Sequence, residues 1–222
     1  MTRVAILLTV VAFLQAPAAP HTGAAPAEVA HRLQARYESI RDFSADFTHA
    51  YEGGVLRKRV TERGTVLIKK PGMMRWTYTS PERKDFVSDG RKLYSYIPED
   101  RQVFVSSVPP ENQASTPALF LSGKGSIVAD FSASFAAVPE ARPDNYALKL
   151  DPRHKQQDYE WLILVVDRES LQLRQLITID QQGGRSVFTF TKLKENVGLS
   201  DRQFTFQIPR GVDVIMTGET PR

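Results

Sequence analysis

Between Gly64 and Tyr96 the chain reads GTVLIKKPGMMRWTYTSPERKDFVSDGRKLYSY, and this stretch leaves little freedom about the fold. Val66 and Ile68 alternate with their neighbours, and Pro71-Gly72 supplies turn chemistry. Met74, Trp76 and Tyr78 then recur at period two, which puts all three on one face of a strand, with Arg75, Thr77 and Thr79 on the other. Ser80-Pro81 breaks that strand, Phe86 and Val87 begin the next, and Asp89-Gly90 is a strong hairpin signal leading into Leu93, Tyr94 and Tyr96. The pattern predicts an antiparallel meander whose large aromatic face draws on Met73, Met74, Trp76, Tyr78, Tyr94 and Tyr96. A face of that kind is ordinarily core, although the soft methionine side chain also suits a surface that accepts variable apolar ligands.

Upstream, Val29, Leu33, Tyr37 and Ile40 recur at helical spacing across residues 27–41, while Glu28, Arg32, Arg36 and Glu38 lie off that stripe. An amphipathic helix therefore begins near Pro26 and lays its apolar face on a sheet. Phe43, Ala45 and Phe47 open the first strand, Gly53-Gly54 turns it, and residues 60–68 return. Pro109-Pro110 to Ser126 interrupts the strands. Within it Thr116-Pro117 is a helix start and Gly123 a helix stop. Between them Ala118, Leu119, Phe120 and Leu121 form an apolar plug; burying each large side chain is worth about 1.5–3 kcal/mol, so the plug should close over an apolar hollow. Residues 146–150, 159–166, 171–179, 186–193 and 204–208 read as further strands, with tight connections at 167–170 and 181–184. Residues 159–166 are apolar on both faces, which predicts a sheet covered on its convex side or wrapped around an apolar interior.

Composition narrows the chemistry. A chain of 222 residues suits one domain of about 200 residues with a sizeable core. Having no cysteine, it has no disulfide, no thiolate nucleophile and no lipid-attachment cysteine, so any lipid it handles is not its own. Arg3, the apolar run from Val4 to Leu14 and the small residues and prolines that follow read as an export leader cut somewhere in 16–25. That division makes 1–25 leader and remnant, and 26–222 a single extracytoplasmic, soluble domain; the apolar run is too short to span a bilayer. The short clusters Arg57-Lys58-Arg59 and Arg83-Lys84 read as solvated strand and loop residues, and nothing points to nucleic acid. Glu28 and His31 share a helix turn but lack further ligands for a metal, His49 ends a strand and His154 lies in a polar loop. With no G-x-S-x-G elbow, Walker loop or G-x-G-x-x-G, the sequence predicts no catalytic residue, no metal and no cofactor.

Taken in order, Phe43-Ser-Ala-Asp-Phe-Thr, the run Gly64 to Trp76, Val87-Ser-Asp-Gly, Leu93-Tyr-Ser-Tyr, Thr116-Pro-Ala-Leu-Phe-Leu and Phe204-Thr-Phe-Gln-Ile-Pro-Arg-Gly-Val-Asp-Val resemble the periplasmic outer-membrane lipoprotein carrier family of the Lol pathway. The resemblance covers essentially the whole mature chain. It implies a mainly β fold with some α: an unclosed antiparallel β-barrel, with an N-terminal amphipathic helix and a short helical lid over an apolar cavity. Acyl chains of lipoproteins would then sit among Leu33, Tyr37, Ile40, Phe47, Met74, Trp76, Tyr78, Leu119, Phe120 and Leu121. The resemblance further implies a cofactor-free monomer in the periplasm, loaded by an inner-membrane lipoprotein-releasing ABC transporter complex. It would unload to an outer-membrane acceptor, whose presence the sequence leaves open. Lys70 stands where the family has arginine before the turn proline, which makes it the lid latch, a compact point charge in place of a planar fork. Two other occupations share the fold: carriage of another amphiphile such as a glycolipid, and lipoprotein sensing by a regulatory protein.

Overall fold

The computed structural model describes residues 24–53, 58–108, 121–123, 125–156 and 158–217. Helix α1 (Pro26–Ser39) precedes strands β1 (Asp42–Glu52), β2 (Arg59–Lys69), β3 (Met73–Ser80), β4 (Lys84–Asp89), β5 (Lys92–Ile97) and β6 (Gln102–Ser107). A short helix α2 (Ile127–Asp130) then leads into β7 (Phe131–Phe135), β8 (Asn145–Pro152), β9 (Trp161–Asp167), β10 (Leu173–Ile179) and β11 (Arg185–Glu195). A 3-10 turn (Asp201–Phe204) and β12 (Asp213–Met216) complete the described elements. All twelve strands lie in one open sheet in the order β12-β6-β5-β4-β3-β2-β1-β11-β10-β9-β8-β7, antiparallel throughout except for β12 against β6. The fold is thus the expected one, mainly β, an antiparallel sheet not closed into a barrel, with an N-terminal helix.

Strand register divides the side chains between two faces. On the helix-covered face β1, β2 and β3 stack in layers: Phe43 with Ile68 and Met74, Ala45 with Val66 and Trp76, and Phe47 with Gly64 and Tyr78. The period-two reading of Met74, Trp76 and Tyr78 was sound, and all three are buried. Leu148, Leu150, Leu162, Leu164, Val166 and Leu176 continue the same apolar cluster across β8, β9 and β10, with Val29, Ala30 and Leu33 of α1 packed into it. Gly64 exists for a packing reason. A Cβ there would come 2.1 Å from the Thr77 carbonyl oxygen and 2.9 Å from the Phe47 ring, so the ring needs the bare backbone beneath it.

The opposite face has its own cover. Ile163, Val165, Ile177 and Val187 point outward and pack with Ala136, Val138 and Ala141, which accounts for the two-sided apolarity of β9. Tyr94 and Tyr96 also face outward, opposite Val105 and Val103, so they do not share a face with Trp76 as the sequence suggested. Their partner is Phe206, with ring centroids at 5.3 and 5.6 Å. Residues 204–208 are no strand, contrary to expectation. The Ser200–Gln203 capping box starts a 3-10 turn, and Arg75 takes the Gln203 and Thr205 carbonyls at 2.6 and 2.8 Å, oxygens that a ladder would have used. The chain rejoins the sheet only at β12. Also unanticipated were α2 and β7, where Ser126 caps the helix through its bond from Ala129 N. Gly123 does end a helical segment, in the left-handed region at φ 89° directly after Leu121 and Ser122.

The loop after β11 is fixed by one carboxylate. Buried Asp42 accepts from the amides of Val197 (2.7 Å), Gly198 (3.2 Å) and Leu199 (3.3 Å), while Lys69 Nζ reaches the Leu199 carbonyl at 2.7 Å. These bonds carry the chain from the helix-covered face to the outer one. For the packing at Gly64, we expect Gly64→Ala to lower unfolding free energy by about 3 kcal/mol or more, because backbone and not a pliable side chain meets the new methyl. Gly183→Ala is the control: its φ of 78° is strained but the space is open, so the cost should stay near 1–2 kcal/mol. Equal urea midpoints for the two variants would remove the close-approach argument.

Candidate ligand-binding cavity

Helix α1 carries its apolar stripe to a junction with the sheet where packing is incomplete. Leu33 and Tyr37 of the helix, Ile40 just after it, Phe43 of β1, Leu164 and Val166 of β9 and Leu121 enclose a cavity of about 40 Å³, almost wholly apolar. At about 10–15 Å³ of such space per water, it has room for a few waters and none for an acyl chain. The polar boundary is an ion pair, Arg36 Nη2 to Glu195 Oε2 at 2.5 Å.

The sequence candidates separate into groups. Leu33, Tyr37, Ile40 and Leu121 line the cavity. Phe47, Met74, Trp76 and Tyr78 lie on the same face in the continuous cluster with it but not on the cavity wall, Met74 two strands across from Phe43 and the other three further along the strands. Leu119 and Phe120 fall outside the described residues. What the sequence reading missed is the far wall, Leu164, Val166, Leu171, Leu173 and Leu193. Period two was visible in Leu162, Leu164 and Val166, yet with both faces apolar nothing in the sequence said which face was hollow.

Tyr37 is the hub of the junction. Its hydroxyl donates to the Leu121 carbonyl, its own carbonyl accepts from Lys70 Nζ, and the Lys70 ammonium lies 3.2 Å from the centre of its ring. Gly72 N donates to the Ser122 carbonyl at 2.9 Å, and the Lys70 stem packs on Gly123, where a Cβ would meet it at 3.0 Å. Lys70 thus grips the last turn of α1 with its charge and the Leu121–Gly123 segment with its methylenes. Burial pulls the ammonium down to about 8, with the Glu38 carboxylate opposing. Burial likewise pushes the Tyr37 phenol above its ordinary range, against a backbone hydrogen bond from Gly123, so the group stays a neutral donor.

Away from α1 the same face becomes aromatic and then polar. The Phe47 ring meets Trp76 at 5.1 Å and Tyr78 at 4.9 Å, both edge to face, and Phe188 meets Trp76 at 5.4 Å. One layer further, His49 stacks on Phe188 at 4.0 Å and bonds Glu62 through Nδ1 at 2.9 Å and Ser186 through Nε2 at 3.2 Å. Lys84 takes the other oxygen of Glu62. Burial lowers His49 below its usual value, against the pull of Glu62, so it is neutral at pH 7. For Glu62 burial works upward, but the hydrogen bonds from Lys84 and His49 prevail and hold the carboxyl below its usual value. Among the described residues there is no group of three or more metal-binding side chains, and no helix is long and apolar enough to cross a membrane.

Comparison with known proteins agrees with this architecture. An outer-membrane lipoprotein carrier protein of Chromohalobacter salexigens is 34% identical over 203 residues, covering 90% of this chain and 93% of its own length. The corresponding protein of Methylococcus capsulatus is 30% identical, over 82% of this chain and 85% of its own. In fold, an uncharacterized conserved protein from Thermus thermophilus superposes with a TM-score of 0.52 at 12% identity, covering 84% of this chain and 98% of its own. Residues 38–207 match the family described as outer membrane lipoprotein carrier protein LolA, and the chain belongs to that family.

Proposed function

We propose that this protein carries lipoproteins through the periplasm, holding their acyl chains between α1 and the helix-covered face of the sheet. It takes them from an inner-membrane releasing complex and delivers them to the outer membrane, without covalent chemistry. One observation carries the reading: a continuous apolar face extends well beyond its helical cover and meets that cover at an incompletely packed, apolar junction. The curated relatives named as lipoprotein carriers supply the class of cargo.

Energetics decide which state is occupied. Displacing α1 together with Ile40, the residue that caps it, removes Val29, Leu33 and Ile40 from the cluster, at about 1.5–3 kcal/mol each, roughly 5–9 kcal/mol together. Each acyl methylene entering the same space returns about 0.8 kcal/mol. A single membrane-length chain offsets the displacement and further chains exceed it, so cargo holds the carrier open and its departure closes it. The cavity of about 40 Å³ is what remains when α1 is seated.

Mass spectrometry of material co-purifying with the protein from its native envelope tests the function. Acylated lipoproteins or their lipopeptides are expected; glycolipid alone would transfer the reading to another amphiphile. At the junction, Ile163→Ala, in the outer cluster, should cost about 2–5 kcal/mol of stability and leave lipopeptide uptake unchanged. Leu121→Ala should cost less, because the cavity beside it relaxes, and should alter uptake and release. The reverse pattern would remove Leu121 from the mechanism.

Lys70 gives a pH signature. Its value is about 8 in the closed protein against 10.5 when solvated, so between those limits the open or unfolded chain holds the proton that the closed one has lost. Stability of the closed state therefore rises with pH across that window. We expect the urea midpoint of the wild type, measured relative to Lys70→Met, to climb from pH 8 to pH 10.5. Lys70→Arg, charged throughout, should show no such climb. A flat wild-type difference would mean that Lys70 is solvated and grips nothing.

A further inference from the structure

Trp76 poses a specific problem. It is 96% buried, since only 4% of it is exposed, and its indole nitrogen has no hydrogen-bond partner. Its ring is edged by Phe47 at 5.1 Å, Phe188 at 5.4 Å and Phe190 at 6.2 Å, and the residues opposite it on the neighbouring strands are Val66 and Phe86. None of these side chains offers an acceptor. A water is a poor substitute, because it needs two to four polar partners and this one donor would supply a single bond. A phenylalanine would fill the same place without leaving a donor unpaired, and buried donors are satisfied in the great majority of cases. The unpaired N–H therefore calls for an acceptor delivered from outside the chain.

The position along the floor says what that acceptor is. On one side of Trp76 lies the Phe43–Ile68–Met74 layer, whose Phe43 also lines the cavity under α1. On the other side come Tyr78, with Lys84 opposite it, and then the polar pair of His49 and Glu62. Successive layers are two residues apart, about 7 Å. Trp76 thus stands in the aromatic rows that separate the aliphatic floor from the polar end. In an acylated molecule laid along this floor, the atom at that boundary is the carbonyl joining each hydrocarbon chain to its head.

We propose that the Trp76 indole N–H is the receptor for an acyl carbonyl oxygen of the cargo, ester or amide, and so fixes how deeply the chains enter. The inference rests on the reading that acyl chains occupy this face. It adds a polar criterion to a site otherwise selective only for greasiness: chains attached through a carbonyl are held, and chains of equal length attached through an ether, whose oxygen lies in line between two methylenes and does not project toward the indole, are held less well. A donor that is already desolvated discriminates strongly, because the probe lacking the acceptor leaves it unpaired.

The test uses three synthetic cysteinyl lipopeptides of one peptide sequence. The first has two ester-linked palmitoyl chains on an S-glyceryl group and a free amine. The second has two ether-linked hexadecyl chains and a free amine. The third has the ether chains and an N-palmitoyl amide. Binding is measured to wild type and Trp76→Phe. The Trp76 indole proton is followed by NMR in Trp161→Phe protein, which leaves a single indole signal. We expect wild type to favour a carbonyl-bearing probe over the free-amine ether probe by about tenfold, and the indole proton to move downfield only with a carbonyl-bearing probe. Trp76→Phe should abolish that preference. Which of the ester and amide probes shows the effect names the carbonyl. Equal binding of all three with an unmoved indole proton overturns the inference and leaves the carrier reading intact. Failure of all three to bind overturns the carrier reading, and this inference with it. Should Trp76→Phe fold poorly, the indole proton in Trp161→Phe protein still decides.

Discussion

One helix cannot cover one face of a twelve-stranded sheet. Helix α1 has 14 residues and is about 21 Å long, whereas twelve strands spaced about 4.8 Å apart extend some 50 Å from edge to edge. The sheet must therefore curl around its own apolar side chains, and even so the aromatic rows beyond Phe43 and Ile68 lie outside the reach of α1. The outer face meets the same demand without helices, through residues 136–142 on one wing and the 3-10 turn with Phe206 on the other. What differs between the faces is how the cover is attached. The outer covers are tied by backbone bonds such as Ala136 N to the Ala147 carbonyl and by Arg75, while α1 meets the β2–β3 turn through side-chain contacts centred on Tyr37.

That difference separates what holds the protein together from what the proposed carriage would have to move. The layers of Phe43, Ala45 and Phe47 against Ile68, Val66 and Gly64 are backed by a continuous ladder and cannot move singly. The α1 junction has an ion pair, a cation over a ring and a few hydrogen bonds, each worth on the order of 1 kcal/mol net. Apolar contact is thus the larger part of what seats α1, and apolar contact is what an acyl chain can replace. The desolvated Lys70 ammonium offsets part of this contact at neutral pH.

Much of this was legible in the sequence, for reasons that particular residues show. Period two in Met74, Trp76 and Tyr78 fixed a face, because alternation along a strand is geometric and needs no tertiary information. The stripe of Val29, Leu33 and Ile40 fixed the helix in the same way. Tyr94 and Tyr96 were misplaced because being near in sequence does not set a face across a hairpin; only the register, Val87 opposite Tyr94, does that. The alternation of Phe204 and Phe206 imitated a strand, and a distant guanidinium on Arg75 overrode it. The far wall of the cavity and the unpaired indole were invisible for a deeper reason. Each is a property of what fails to pack or pair in three dimensions, and no residue pattern records an absence.

The strand order has a consequence for how the protein comes to exist. Strand β1 sits mid-sheet, with β2 to β6 fanning out on one side and β11 back to β7 on the other, so the two wings meet only where β1 pairs β11, more than a hundred residues away in the chain. Apart from β12, which joins β6 from a distance, each wing is a run of local antiparallel neighbours that can zip quickly, but the seam between the wings is a long-range closure and must come late. A chain delivered N-terminus first has β1 to β6 by residue 107 and then waits, with the β1 edge open until residues 185–195 arrive and the β6 edge open until β12 does. During that interval β1, the strand carrying Phe43, Ala45 and Phe47, is the segment most exposed to mispairing with another chain. A protein proposed to shield the greasy parts of others thus passes through a stage in which its own are unshielded.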